Sequence, residues 1–514
     1  MTIVVVIGLD GATWNLLMPW IKKDELTTLK KLIDEGTYGY LRSSNPPITF
    51  PAWKCYSTGK NPGKLGVYSF VGLDKENRDM KVYTGRDFKE KEIWDYLNDN
   101  GIKSCVINMP GTYPPSKNAI MISGIPITGS NYAYPPEIRE ELSKIGYRVN
   151  PRIYPGTKNN KQEHEHLKEL ISSRFEIADK IRNKYKIDFW HVTIFYIDKI
   201  QHAYFKNKSV LKDYWQFIDR KIGEFLEGFD EDVNLFLMSD YGATEIKNTF
   251  YLNEFLFEKG YLQLKLKNRQ SKFNTTRITI KLLDKLRKRP FLYANLKEIF
   301  EKFTPESIKN NISVKSMGKR KAKFLSKIDW ENSDFVDIGV GFGLIYKLNG
   351  EEKDVQKLKE ELERVKDPLT GEKVAEVFLK DEIYKGDLKD APDIVVIPNS
   401  NTMITEVIRD APTVWGPTPN DWEGMHEKEG IFLAHGPDIR EGMEIKGVKI
   451  LDLAPTILYM FGVPIPTDMD GRVLKEIFKE DSELAKRPVI YREVVSEKEE
   501  IKEKIKKMKA MSKI

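Results

Sequence analysis

The chain opens on an unbroken apolar run, Ile3–Leu9, closed by an aspartate, Asp10. A run with no polar interruption can be satisfied only where both faces of a strand are buried, as in a parallel sheet covered on two sides. Comparable runs recur at Ser104–Asn108, Trp190–Tyr196, Val233–Met238, Asp393–Ile397 and Gly430–Ala434. Segments of helical periodicity separate them, among them Leu29–Glu35, Ile93–Asn98, Leu167–Lys184 and Tyr214–Glu227. Strands that alternate with helices predict a doubly wound α/β sheet. Such sheets bind ligands at the carboxyl ends of their strands, so the residues that follow each run are the first place to look for chemistry.

Three of those positions are aspartates. Asp10 ends the first run, Asp198 lies just past the run Trp190–Tyr196, and Asp240 follows Val233–Met238. One such residue reads as a turn or cap. Three at equivalent strand ends repel one another unless a cation holds them. Asp198 and His202 are spaced i, i+4, which on a helix puts both on one face, able to share an ion. Thr49 lies in Pro47-Ile48-Thr49-Phe50-Pro51, and Pro51 suits the first turn of a helix. A threonine there is an ordinary N-cap by itself, but it also sits where helix amides gather an anion and where a bound cation could activate the hydroxyl. His426 is read as lying in a loop before the run at Gly430, with His435 nearby. His164, His166 and His191 have no ligand-like neighbours in sequence and are taken as structural or surface groups.

At 514 residues, 40% hydrophobic and 31% charged, the chain is long enough for a large α/β domain with an insertion. No run approaches the roughly 18 apolar residues that span a bilayer. Its N-terminus reads as a buried strand, not a signal peptide. The two cysteines, Cys55 and Cys105, form no Cys-x-x-Cys pattern. A disulfide framework or thiolate metal site is therefore not expected, and a cytoplasmic setting is.

Between Gln263 and Lys323 there are 18 Lys+Arg against 4 Asp+Glu, or +14, whereas the chain as a whole carries +6, so the remainder is −8. The β/α alternation also weakens there. Residues 263–385 are read as an inserted basic cap, with short strands at Leu344–Lys347 and Val374–Phe378 around a helix at Val355–Val365. Residues 1–262 and 386–482 are read as the core. Residues 483–514 are read as a charged C-terminal helix opened by the capping box Ser496-x-x-Glu499. The basic excess suggests an anionic partner, either a phosphorylated small molecule or a lipid-linked phosphate, with weak contact to an anionic membrane. No specific nucleic-acid motif is present.

Several motifs then converge. Gly8-Leu9-Asp10-Gly11-Ala12-Thr13, Pro46-Pro47-Ile48-Thr49-Phe50-Pro51-Ala52-Trp53, Thr58–Lys64, Asn108–Pro115, Ala391–Ile394, Gly430–Pro437 and Leu453–Leu458 occur in order along the chain. Together they resemble the archaeal and bacterial type I phosphodiesterase/nucleotide pyrophosphatase family of the alkaline phosphatase superfamily. The resemblance implies a three-layer α/β/α sandwich with a mostly parallel central sheet. It implies a hydrolase of phosphate esters, most naturally a phosphodiesterase or pyrophosphatase. Thr49 would be its nucleophile, passing through a phospho-threonine. It further implies one divalent ion held by Asp198, His202 and His426, with zinc expected, and a second held by Asp10, Thr49 and Asp240.

Two departures qualify this. Tyr241 stands where the family usually has a histidine ligand. The second site is thereby left oxygen-only and open to manganese or magnesium as well as zinc. Phe70 stands where the nucleotide-cleaving branch has an asparagine. The alternatives are a phospho-ligand-binding protein with impaired catalysis, or a phosphomutase or other phosphoryl transferase built on the same site.

Overall fold

A computed structural model describes residues 3–127, 129–157, 160–265, 323–368, 370–399, 401–408, 413–418 and 422–494 of the 514. Most of the basic segment and the helix expected from Ser496 lie outside them.

Nine strands form the central sheet. In chain order they are β1 (Ile3–Leu9), β2 (Thr37–Arg42), β3 (Ser104–Ile107), β4 (Ile120–Ile122), β5 (Ala133–Tyr134), β6 (Phe189–Ile194), β7 (Val233–Met238), β8 (Glu429–His435) and β9 (Met443–Lys449). Their spatial order is β9-β2-β8-β7-β1-β6-β3-β4-β5. β8 runs against both β2 and β7, and β5 against β4, while every other pair is parallel. This is the mostly parallel sheet expected for an alkaline phosphatase-like α/β/α sandwich.

The apolar runs are explained by what each face meets. In β1, Val5, Ile7 and Leu9 enter one buried cluster with the helices Lys161–Arg182 and Lys208–Glu227. Val4 and Val6 enter another, with Thr49–Thr58, Ile93–Asp99 and Leu453–Met460. β7 divides the same way, Leu235 and Leu237 to the first face and Phe236 and Met238 to the second. Each such side chain, moved from water to a full burial, contributes roughly 1.5–3 kcal/mol. No described helix is long and apolar enough to cross a membrane.

The run at Asp393–Ile397 departs from its expected place in the central sheet. It forms Ile394–Pro398, which pairs with Gly343–Lys347 on one side and Ala375–Leu379 on the other in a separate antiparallel sheet. Periodicity reports that a strand is buried on both faces, not which sheet buries it. A further small sheet joins Asn248–Tyr251 to Thr402–Thr405, so these layers draw strands from both sides of the expected 263–385 insertion. Both share one apolar cluster in which the helix Glu352–Glu363 buries Val355, Leu358 and Leu362.

His191 lies on β6 beneath the helix Thr49–Thr58, fully buried. Tyr56 Oη is 3.0 Å from its Nδ1, and Thr193 Oγ1 is 2.7 Å from its Nε2. Burial pushes its pKa down from 6.5 to about 3. The unfolded chain therefore takes up a proton as pH falls below about 6.5, and the folded chain does not until about 3. Stability contributed by the neutral ring is present above the upper value and is lost as pH falls through the window. The thermal midpoint should fall between pH 7 and pH 4, and the fall should be shallower in His191→Gln. Equal slopes in the two proteins would remove His191 as a source of acid lability.

Candidate active site

Thr49 is the first residue of the helix Thr49–Thr58. The preceding Ile48 is extended and supplies no side-chain cap. The reading of Thr49 as an N-cap is thereby set aside, since its hydroxyl turns instead to Tyr241 Oη at 2.6 Å. One turn later on the same face, Trp53 donates its indole N–H to Asp10 Oδ2 at 2.9 Å. That approach needs Gly8, because a Cβ there would lie 2.4 Å from the Trp53 ring. The end of β1 and the start of the helix are in this way drawn to one point.

Asp198 and His202 sit on the helix Tyr196–Tyr204. The strand before it stops at Ile194, so Asp198 lies in the first helical turn and not at a strand end as expected. His426 also departs from expectation. It lies in a short strand, Gly424–Glu427, paired with Gly242–Glu245, and stands opposite Ala243. The loop reading failed because Gly424 and Lys428 look like loop residues, whereas the pairing partner is far away in sequence.

The ligand atoms of Asp198, His202 and His426 all lie within 4.8 Å of one another. Asp198 Oδ1 is 3.3 Å from His202 Nε2 and 3.5 Å from His426 Nε2, and the two Nε2 atoms are 3.2 Å apart. Each ring's Nδ1 faces a backbone carbonyl, Gly424 O at 2.6 Å for His202 and Pro47 O at 2.9 Å for His426. A carbonyl can only accept, so each Nδ1 carries a proton, and the two Nε2 atoms face Asp198 and each other. Burial, above all, lowers the His426 pKa to about 3 and keeps that ring neutral.

Asp10, Asp198 and Asp240 are all buried. Burial raises Asp10 and Asp240 well above the ordinary carboxylate value, and the charge of Asp198 adds to it in both. Burial acts in the same sense on Asp198, but His202 and Lys199 outweigh it and hold that group low. Lys199 reaches Asp198 Oδ2 at 2.8 Å. Asp240 accepts from the Gly11 N–H through Oδ1 at 3.2 Å, while its buried Oδ2 has no hydrogen-bond partner.

Tyr241 is wholly buried, stacked on His426 with centroids 3.8 Å apart and planes 15° from parallel. Its Oη donates to Asp10 Oδ1 at 2.9 Å. Phe70 stacks on Phe50, the neighbour of Thr49, at 5.3 Å. His435 lies apart from this cluster and faces Glu35 at 3.5 Å. His164 meets Tyr214 Oη, and His166 accepts the Arg152 N–H.

Sequence reading passed over Lys199 and Trp422, which stacks on His202 at 4.2 Å. Lys199 adjoins Asp198 and was in view. Nothing in the local pattern marks Trp422.

The type I phosphodiesterase/nucleotide pyrophosphatase family matches residues 4–438 of this arrangement. The chain belongs to that family. It is accordingly a phosphodiesterase-type hydrolase of the alkaline phosphatase superfamily, in a family that depends on divalent metals. No curated protein sequence is significantly similar to it. Among solved structures, murine ectonucleotide pyrophosphatase/phosphodiesterase 5 is similar at 12% identity and a TM-score of 0.54, covering 93% of this chain and 100% of its own. The human counterpart gives 13% and 0.51 over the same shares. An inactive threonine-to-alanine variant of the murine protein, in complex with AMP, is also similar, at 12% and 0.54. At these identities the likeness speaks for the fold of this phosphodiesterase-family chain.

Proposed function

We propose that this chain hydrolyses phosphate esters, phosphodiesters foremost, by attack of Thr49 on phosphorus beside a divalent metal held by Asp198, His202 and His426. The observation that carries the reading is the pair of Nε2 atoms 3.2 Å apart, each within 3.5 Å of Asp198 Oδ1. A cation placed between the two nitrogens and the carboxylate would take all three as ligands. Zinc suits two nitrogens and one oxygen. The unpartnered Asp240 Oδ2 is a further buried acceptor that fits a cation, one for which the harder manganese or magnesium is suited.

When bound, the metal supplies Lewis-acid stabilisation of charge on the phosphoryl oxygens. The chain's own residues do the rest. Thr49 gives up its hydroxyl proton as Oγ bonds to phosphorus, and the leaving oxygen departs with its electron pair and takes up a proton. Water, losing a proton, then bonds to phosphorus as Thr49 Oγ departs with its electron pair and is reprotonated. The first-turn amides of its helix face the same point, where negative charge gathers. The Gly424 and Pro47 carbonyls hold the His202 and His426 rings by their Nδ1 atoms. Loss of activity in the threonine-to-alanine variant of the murine relative supports a threonine as attacking group.

The decisive experiment is turnover of an aryl phosphodiester, an aryl phosphomonoester and a nucleotide diester, each with metal-free protein and with added zinc, manganese or magnesium. Metal-dependent cleavage is expected, with the aryl diester preferred. No turnover with any metal would leave a protein that binds phosphorylated ligands without cleaving them.

A further inference from the structure

We propose that Tyr241 is a positioning residue for the nucleophile, a task the phenol performs at a place where the family places a metal ligand; the inference rests on Thr49 being the attacking group. Three contacts converge on its side chain. The phenol donates to Asp10 Oδ1 at 2.9 Å, it meets Thr49 Oγ1 at 2.6 Å, and its ring lies flat on His426 at 3.8 Å.

A phenol has one proton. With that proton directed to Asp10, the short contact to Thr49 is made by the threonine hydroxyl donating to the phenol oxygen. A free threonine hydroxyl rotates among several directions. Here its O–H is pinned toward Tyr241, and its lone pairs are directed away from Tyr241, available to phosphorus. The phenol cannot swing aside, because its ring is wholly buried and stacked on His426.

Asp10 completes the arrangement. Its Oδ2 is taken by the Trp53 indole and its Oδ1 by Tyr241, so both oxygens are occupied by donors on elements that flank Thr49. Trp53 belongs to the same helix as Thr49, and Tyr241 follows β7. The carboxylate thus acts as a two-point anchor that fixes the helix start on one side and the phenol on the other. A second cation that used an Asp10 oxygen would share it with one of these donors.

The test compares wild type with Tyr241→Phe, which keeps the ring and its stacking on His426 but removes the oxygen. Three quantities are read on each protein: kcat and KM for the aryl phosphodiester, the rate of Thr49 phosphorylation in a single turnover, and bound metal per chain by elemental analysis. Loss of the orienting hydrogen bond should lower kcat and the phosphorylation rate roughly 10- to 100-fold, with KM and metal content unchanged. A kcat within about threefold of wild type would overturn the proposal. So would a loss of activity that tracks a loss of metal, since the phenol would then be a ligand. Failure of the wild type itself to form a phospho-threonine would instead overturn the reading on which the proposal rests.

Discussion

Thr49→Ala is expected to abolish turnover, lowering kcat at least about a thousandfold, while the protein stays folded. The structure makes the second half of that statement firm. Thr49 opens its helix without capping it, so the substitution removes no helix cap. It removes one hydroxyl from a buried contact with Tyr241 and leaves the Tyr241–Asp10 and Trp53–Asp10 hydrogen bonds in place. Circular dichroism and the thermal midpoint should be close to wild type, with the midpoint differing by only a few degrees. Activity retained within about tenfold of wild type would mean that another group attacks phosphorus. A phospho-adduct mapped to Thr49 in the wild type, and absent from the variant, is the positive counterpart.

The second large effect concerns the ligand cluster. His202→Ala or His426→Ala should each remove about one metal equivalent and weaken binding of that ion by more than about 100-fold, with activity lost in step. The two changes are not equivalent for the fold. His202 stacks on Trp422, and its loss leaves the Gly424 carbonyl without its ring donor. His426 carries the face on which Tyr241 lies, so its removal also loosens the nucleophile's partner. Metal analysis on both variants decides the matter. Unchanged metal content in both would show that Asp198, His202 and His426 do not form the site.

Much of this arrangement could be read before the structure, for physical reasons that differ from residue to residue. β1, β6 and β7 are visible because a strand buried on both faces leaves an uninterrupted apolar run. Asp198 and His202 are visible as a pair because helical spacing brings i and i+4 together. The start of the Thr49 helix is visible through Pro51. β2 and β9 escaped notice because exposed or half-exposed residues interrupt both, alternately in β2 and in pairs in β9, so neither carries a run. The strand containing His426 escaped notice because it exists only through pairing with Gly242–Glu245. Tyr241 was recognised as a departure from a family pattern, yet its contact with Thr49 spans 192 positions in sequence. No local rule of composition or period can register such a contact.

The order of strands in the sheet bears on how the protein comes into being during synthesis. β2 emerges early, at Thr37–Arg42, but among the described residues its sheet partners are β8 and β9, which begin at Glu429 and Met443. β8 also provides the bridge from β2 to β7 and so to the rest of the sheet. The ring of His426, just ahead of β8, reaches back 379 positions to the Pro47 carbonyl beside the nucleophile. A growing chain therefore carries Asp10, Thr49, Asp198 and Asp240 before the segment that contains His426 is made. Long-range closure of this kind slows folding. Until His426 is made, the cluster of Asp198, His202 and His426 lacks its third member.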